Sequence, residues 1–143
     1  MAKAALNNMD QPMHDDIQSA KRVLSAEAKA LNALAESIGT SFSDATDIIH
    51  TRKASAQSAA RGRLIVAGIG KSGHVARKIA ATLASTGTPS FFVHPGEASH
   101  GDMGMITKDD VVLMLSNSGE NPELSDLIHY TRRYDIPLIS ITS

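Results

Sequence analysis

The sequence has 143 residues, of which 42% are hydrophobic and 20% charged, so it contains enough apolar material for one hydrophobic core. A net charge of -1 and an aromatic content of 3% argue against nucleic acids or anionic membranes as partners. The lack of cysteine excludes disulfides and thiolate metal sites. One core predicts one domain. Because the sequence shows neither a membrane-spanning run nor a signal peptide, we predict a cytoplasmic protein.

The first part of the chain has a helical pattern of apolar residues. Residues 1–12 show no sustained period and are predicted to form a flexible tail. Over 13–39 the spacing predicts one long amphipathic helix, whose apolar stripe consists of Ile17, Val23, Leu24, Leu31, Leu34 and Ile38. A second helix is predicted over 43–60, with Gly62 as its stop. Such helices cover a sheet or a partner subunit, and their length favours the partner, which predicts a homodimer or homotetramer.

After Gly62 the pattern changes to short apolar runs that alternate with helical segments. The runs are typical of parallel strands buried on both faces, and they cover 64–67, 90–93, 111–115 and 138–141. Helices are predicted at about 75–86 and 122–134. This alternation predicts an α/β fold, a doubly wound three-layer sandwich with a mainly parallel sheet, preceded by the two helices. Ligands of such sheets bind beyond the carboxyl ends of the strands.

A glycine-rich turn follows the first predicted strand. Its G-x-G-x-x-G spacing allows a dinucleotide site, but the end of the second strand offers His94 where an acidic residue would hold the ribose. A phosphate-binding P-loop is excluded, because Ile65 stands where its first glycine would be. Lys71 places a cation in the turn, which suits a phosphate or a developing oxyanion. The alternative is a solvated loop lysine.

The loop after the second strand concentrates ionisable side chains. His94, Glu97, His100 and Asp102 lie close together in sequence, just past a strand end, where loops often carry function. Each of them alone is as well explained by a structural hydrogen bond. The cluster is stronger support for a functional loop than any one member.

The loop after the third strand, called the serine loop below, covers 116–121. Asn121 is a natural N-cap and Pro122 a natural first helical residue. Ser116, Ser118 and the free amides there would offer donors to a phosphate monoester. Glu123 would lie in the first helical turn, favoured by the helix dipole. The alternative is an ordinary capped βα loop.

Three of these segments resemble the sugar isomerase (SIS) domain of arabinose 5-phosphate isomerases. They are the glycine turn at 68–74, the run 85–102 and residues 116–120 of the serine loop. The resemblance is strong from about Gly62 to Thr142 and depends on pattern alone over the two N-terminal helices. Three motifs in the right order are far more specific than the glycine pattern by itself.

The resemblance implies an aldose–ketose isomerase that interconverts D-arabinose 5-phosphate and D-ribulose 5-phosphate, towards the lipopolysaccharide sugar Kdo. A proton moves between C1 and C2 through an enediolate, which needs an acid/base pair and a nearby cation or donor, but no redox cofactor. The catalytic residues implied are Lys71 as electrostatic stabiliser, His100 for ring opening or proton movement, and Glu123 for proton transfer. We expect a phosphorylated pentose substrate, no cofactor, no metal, and substrate contacts from Gly70, Ser72, His94, Glu97, Ser116 and Ser118.

Full-length members of that family continue through another strand and helices, which supply a further glutamate and histidine to the active site, and usually carry a pair of CBS domains. This sequence ends at Ser143, directly after a predicted strand. We therefore expect 13–143 to be a SIS domain that is incomplete at its C-terminus, with weak or no isomerase activity. Two alternatives stay open: a sugar-phosphate-binding module without turnover, and a structural subunit whose helices drive tetramer formation.

Overall fold

A computed structural model describes residues 10–54 and 62–143 of the chain. Its contacts divide the chain into two compact units, Met1–Phe42 and Ser43–Ser143. The single domain expected from the chain length stays a prediction.

The first unit is built on helix α1, Asp10–Ser37. Residues 10–12 were predicted to belong to the tail but are helical, because Pro12 is tolerated in a first helical turn, where the backbone N–H has no intrahelical partner. The rest of the predicted tail, residues 1–9, lies outside the described residues. The apolar stripe is open to solvent, with each residue 47% to 66% exposed: Ile17, Val23, Leu24, Leu31, Leu34 and Ile38.

Helix α2 spans Thr40–Ala54 and so begins before the predicted start at Ser43. The end predicted at Ala60 lies outside the described residues. Within the second unit, Ile49 of this helix packs against the core. Arg52 Nη1 donates a hydrogen bond to the Lys108 carbonyl at 2.9 Å, which ties the helix to the loop before the third strand.

The second unit contains a parallel sheet of four strands. They are β1 (Leu64–Gly68), β2 (Ser90–Val93), β3 (Val111–Leu115) and β4 (Leu138–Ile141). The spatial order is β2-β1-β3-β4, and every neighbouring pair is parallel. Leu64 is opposite both Ser90 and Val111, and Val112 is opposite Leu138. The predicted strands and their parallel arrangement are confirmed.

The helices that connect these strands differ from the predicted ones in their bounds. They are α3 (Gly70–Ser85), α4 (Pro95–Ala98) and α5 (Ser125–Arg133), with short 3-10 helices at Asp102–Met105 and Pro122–Leu124. The predicted helix 122–134 is therefore split. Its first turn is 3-10 because the Leu124 N–H bonds to the Asn121 carbonyl, which tightens the turn before α5 begins.

The core lies on both faces of the sheet. Ile65 and Val112 belong to a cluster with Leu124 and Leu127, on the face covered by α4 and α5. Leu64, Val66 and Leu113 instead pack with two alanines of α3, Ala76 and Ala80. Every residue of β1 and β3 is buried, as expected of central strands, and the three-layer sandwich is confirmed.

The amino end of the sheet is closed by an ion pair that the sequence did not predict. The Asp110 carboxylate, 1% exposed, lies 2.7 Å from Arg63 Nη2. It also accepts hydrogen bonds from Arg63 N and Nε, each at 2.9 Å, and from Thr107 N at 2.8 Å. Burial alone would raise the pKa of Asp110, but the hydrogen bonds and the charge of Arg63 outweigh burial and hold that pKa below its usual value. The carboxylate is therefore ionised and joins β1 to β3.

Candidate functional site

An open cleft of about 370 Å³ lies beyond the carboxyl ends of β1, β3 and β4. The chain leaves β1 for β2 on one side and then crosses back to β3 on the other, so the strand order reverses between β1 and β3. Ligands of open α/β sheets bind at such a switch point. The polar residues that line the cleft are Lys71, Ser72, Ser116, Asn117, Thr142 and Ser143.

The glycine turn brings the start of α3 directly against the end of β1. Gly70 has φ +57°, which glycine adopts without strain, and the helix begins there, whereas the sequence predicted Val75. A Cβ on Gly73 would lie 2.7 Å from the Gly68 carbonyl oxygen, so only glycine allows this close approach. The tight turn places Lys71 and Ser72 in the first helical turn, where both line the cleft.

The serine loop is held in shape by its own hydrogen bonds. The hydroxyls of Ser116 and Ser118 both donate to Asn121 Oδ1, at 3.3 Å and 3.1 Å. Each Oγ also accepts a backbone N–H: that of Gly119 reaches Ser116 at 3.0 Å, and that of Glu120 reaches Ser118 at 3.3 Å. Ser116 is buried at the wall of the cleft, and Ser118 is exposed.

Asn121 precedes the 3-10 helix in an extended conformation, at the predicted N-cap position. Its side chain makes no capping hydrogen bond, so the predicted capping contact is wrong. The reason is that both serine hydroxyls compete for the same amide oxygen and hold it inside the loop. Glu123 lies in the first turn that follows, as predicted, and is exposed.

The histidine loop after β2 divides into a structural part and an exposed part. His94 is half-buried, and its Nδ1 accepts the Gly96 N–H at 3.2 Å, which caps α4. The edge of its ring faces Phe92, with centroids 6.5 Å apart. Glu97 and His100 are exposed. Because α4 packs against the 3-10 helix Pro122–Leu124 and against α5, the histidine loop lies beside the element that carries Glu123.

The structure therefore gathers only some of the predicted site residues in the cleft, namely Lys71, Ser72 and Ser116. The other predicted site residues do not line it: Gly70, Ser118, His94, Glu97, His100 and Glu123. Sequence reasoning missed Asn117, Thr142 and Ser143. Thr142 and Ser143 directly follow β4. The signal that identified Lys71 and Ser116, a polar residue just after the carboxyl end of a strand, would also have identified these two.

The described residues offer no ready metal centre. Across 10–54 and 62–143, no three side chains of histidine, aspartate or glutamate are grouped so that they could hold a metal ion. Over the same part of the chain, no helix is long and apolar enough to cross a membrane.

A doubly wound sheet with polar loops around its switch point defines a class of ligand-binding α/β domain. The family model of the SIS domain matches residues 58–143. The chain therefore belongs to the SIS domain family.

Among curated proteins, the chain is 55% identical over 135 residues to the arabinose 5-phosphate isomerase KdsD of Pseudomonas aeruginosa. The aligned region covers 94% of this chain and 39% of that protein. It is 49% identical over 132 residues to KdsD of Escherichia coli K12, with 92% and 38% covered. The chain thus spans about two fifths of the length of these relatives. Among solved structures, E. coli CFT073 c3406 in complex with A5P superposes with a TM-score of 0.77 and 42% identity, covering 96% of this chain and 66% of that one.

Proposed function

We propose that this chain carries a sugar-phosphate site of an aldose–ketose isomerase that interconverts D-arabinose 5-phosphate and D-ribulose 5-phosphate. The observation that carries the proposal is the 55% identity to KdsD of P. aeruginosa over 94% of the chain. The cleft at the switch point supports it, because a cation and several hydroxyls converge there, as binding of an anionic polyhydroxy ligand requires.

Lys71 is the proposed electrostatic stabiliser. Isomerisation moves a proton between C1 and C2, and negative charge develops on the substrate oxygens of the enediolate. Lys71 lies in the first turn of α3 and lines the cleft, so its ammonium and the positive end of the helix dipole act on the same space. A cation there stabilises the enediolate more than the neutral sugar.

Glu123 and His100 are the proposed proton-transfer pair. Glu123 would move the proton between C1 and C2, and His100 would assist ring opening or proton movement. Support comes from the packing of α4 against the 3-10 helix Pro122–Leu124, which makes their two loops neighbours. Both side chains are exposed and free to meet a ligand that enters from solvent.

The phosphate is proposed to bind at the serine loop, through Ser116 and Ser118. We assign further substrate contacts to Gly70 and Ser72 of the glycine turn, and sugar contacts to Glu97 and His94. The cap that His94 provides through Nδ1 leaves its Nε2 for such a contact. A phosphorylated pentose would span the distance from the serine loop to Lys71, within one cleft.

The setting that we propose is cytoplasmic lipopolysaccharide biosynthesis by a homo-oligomer, a dimer or a tetramer. The apolar stripe of α1 supports an oligomer, because its residues are about half exposed or more in one chain, and a contiguous exposed apolar surface of this kind marks an interaction site.

The direct test is to incubate the chain with arabinose 5-phosphate and measure ribulose 5-phosphate. We expect ketose to form slowly, and Glu123→Gln to slow its formation by about a further hundredfold, because loss of a proton-transfer group costs about 10²–10⁴-fold in rate. Glu120→Gln is the matched control, since Glu120 is an exposed glutamate of the serine loop with no assigned role. Equal rates for Glu123→Gln and the parent would contradict the assignment.

A second experiment separates the two alternative functions. If arabinose 5-phosphate raises the melting temperature of the chain without turnover, the chain is a sugar-phosphate-binding module, because a ligand that binds only the folded state stabilises it. If it neither turns over nor stabilises the chain, a structural role mediated by the helices is left.

A further inference from the structure

In the serine loop, the hydroxyl protons of Ser116 and Ser118 are both used in hydrogen bonds within the loop. A serine hydroxyl has one proton to donate, and Ser116 and Ser118 both direct theirs to Asn121 Oδ1, at 3.3 Å and 3.1 Å. Two backbone donors of the loop are occupied as well, since the N–H groups of Gly119 and Glu120 bond to the same hydroxyl oxygens. In this state the loop has no hydroxyl proton left for a phosphate.

The two hydroxyls nevertheless converge on one point, an arrangement that suits a phosphate oxygen. Both hydroxyls lie within hydrogen-bonding distance of one oxygen atom, so a single acceptor can receive both of their hydrogen bonds. A phosphate oxygen is an acceptor of the same kind and carries more charge, which makes its hydrogen bonds stronger than those of a neutral amide. Asn121 Oδ1 therefore occupies the position that a phosphate oxygen would take.

We infer that Asn121 is an internal competitor that lowers the phosphate affinity of this loop. Its amide oxygen occupies the point at which both hydroxyls converge, and a phosphate binds by displacing that oxygen and accepting both hydrogen bonds. The inference rests on the proposed function in one respect, that the serine loop is the phosphate site. A purely structural N-cap role is not supported, because the side chain makes no capping hydrogen bond.

The test is a titration of the isotope-labelled 143-residue chain with inorganic phosphate, followed through the backbone amide signals of Gly119 and Glu120. Asn121→Ala removes the internal competitor, so we expect phosphate to bind about fivefold more tightly than to the parent, since a neutral hydrogen bond of this kind contributes a factor of a few. If Asn121 only stiffened the loop, the same variant would bind phosphate more weakly. Equal or weaker binding by Asn121→Ala overturns the inference.

A double-mutant cycle assigns the gain to the serine protons. With Ser118→Ala present, only the Ser116 proton is left to release, so the gain from Asn121→Ala should fall to about twofold. An undiminished fivefold gain would mean that Asn121 acts through something other than these hydroxyls, which contradicts the inference.

The unmutated chain gives an independent readout if Asn121→Ala does not fold. Saturation with phosphate should shift the side-chain amide signals of Asn121 together with the backbone signals of Gly119, because the amide is released. A side-chain signal that stays still while Gly119 moves overturns the inference. The proposed isomerase function fails separately, if phosphate binds in this way but arabinose 5-phosphate is not converted.

Discussion

The two ends of the parallel sheet contrast in how they use polar groups. At the amino end, the Asp110 carboxylate is 1% exposed and is bonded to Arg63 and Thr107. At the carboxyl end a cleft of about 370 Å³ is open to solvent, and the cation on its wall, Lys71, is exposed. At one end charged groups are buried in a pair, and at the other a charged group is exposed to solvent. With the proposed site at the carboxyl end, stability and binding would be assigned to opposite ends of the same strands.

The separation follows from the direction of the strands. The buried strands β1 and β3 have Arg63 and Asp110 just before them and the glycine turn and serine loop just after them. A parallel sheet brings all strand starts to one edge and all strand ends to the other. Changes at one edge should therefore alter the free energy of unfolding, and changes at the other should alter binding and turnover.

The largest expected effect is a loss of unfolding free energy on mutation at the amino end of the sheet. Asp110→Ala removes the acceptor of the Arg63 N–H and Nε–H groups and of the Thr107 N–H, whereas Arg63 Nη2 keeps its hydrogen bond to the Met105 carbonyl. Because Arg63 is partly exposed and keeps that partner, we expect a loss near the low end of the cost of breaking a buried pair, about 3 kcal/mol. Urea denaturation of the variant should show a loss of this size. Asp109→Ala, a change at the neighbouring and less buried aspartate, should shift the free energy of unfolding by less than about 0.5 kcal/mol. Equal effects of the two variants would remove the special role of Asp110.

The next largest effect is expected on the rate of turnover, on mutation at the carboxyl end of the sheet. Lys71→Ala should lower turnover of arabinose 5-phosphate by about 10²–10³-fold, because a cation that stabilises the developing charge is lost. Lys78→Ala is the control, as an exposed lysine further along the same helix. Urea denaturation should be unchanged in both variants. A Lys71→Ala variant with parental turnover would show that the cleft does not act through this cation.

A smaller effect is expected at the glycine turn, which should contribute both to the stability of the fold and to ligand binding. In Gly73→Ala the new Cβ would lie 2.7 Å from the Gly68 carbonyl oxygen, so the start of α3 must shift, at about 1–3 kcal/mol. Phosphate-dependent thermal stabilisation should weaken as well, since Lys71 and Ser72 move with the helix. Gly104→Ala, where the added Cβ meets no atom within 4 Å, is the matched control for both measurements.

The smallest effect is a pH dependence confined to acid. The pKa of Asp110 is lowered by folding, so its ionised form contributes stability above the unfolded-state pKa of about 3.9, and this contribution is lost as the pH falls through the lower folded-state pKa. The free energy of unfolding of the parent should therefore fall through this range by an amount that Asp110→Asn lacks. Identical acid profiles for the parent and Asp110→Asn would contradict this reading.

The sheet could be predicted from sequence because its strands are local apolar runs. The start of α3 could not, because glycines usually end helices, and only the close approach of Gly68 and Gly73 shows why this helix begins at Gly70. The Arg63–Asp110 pair joins residues 47 positions apart and leaves no local pattern.

Individual residues of the candidate site could be predicted from the sequence, but the contacts between them could not. Lys71 and Ser116 were identified by their places after strand ends, and the cleft contains both. The contacts of Asn121 could not be foreseen, because cap preference is a local rule and the competing hydroxyls depend on the folded loop.

The central claim, that the carboxyl edge binds a sugar phosphate while the amino edge only stabilises the fold, is tested most directly by mapping amide signals during a titration with arabinose 5-phosphate. We predict saturable shifts at Lys71, Ser72 and the serine loop, with Arg63 and Asp110 unmoved. Shifts centred on Arg63 and Asp110, or no saturable shift at the carboxyl edge, would contradict the account.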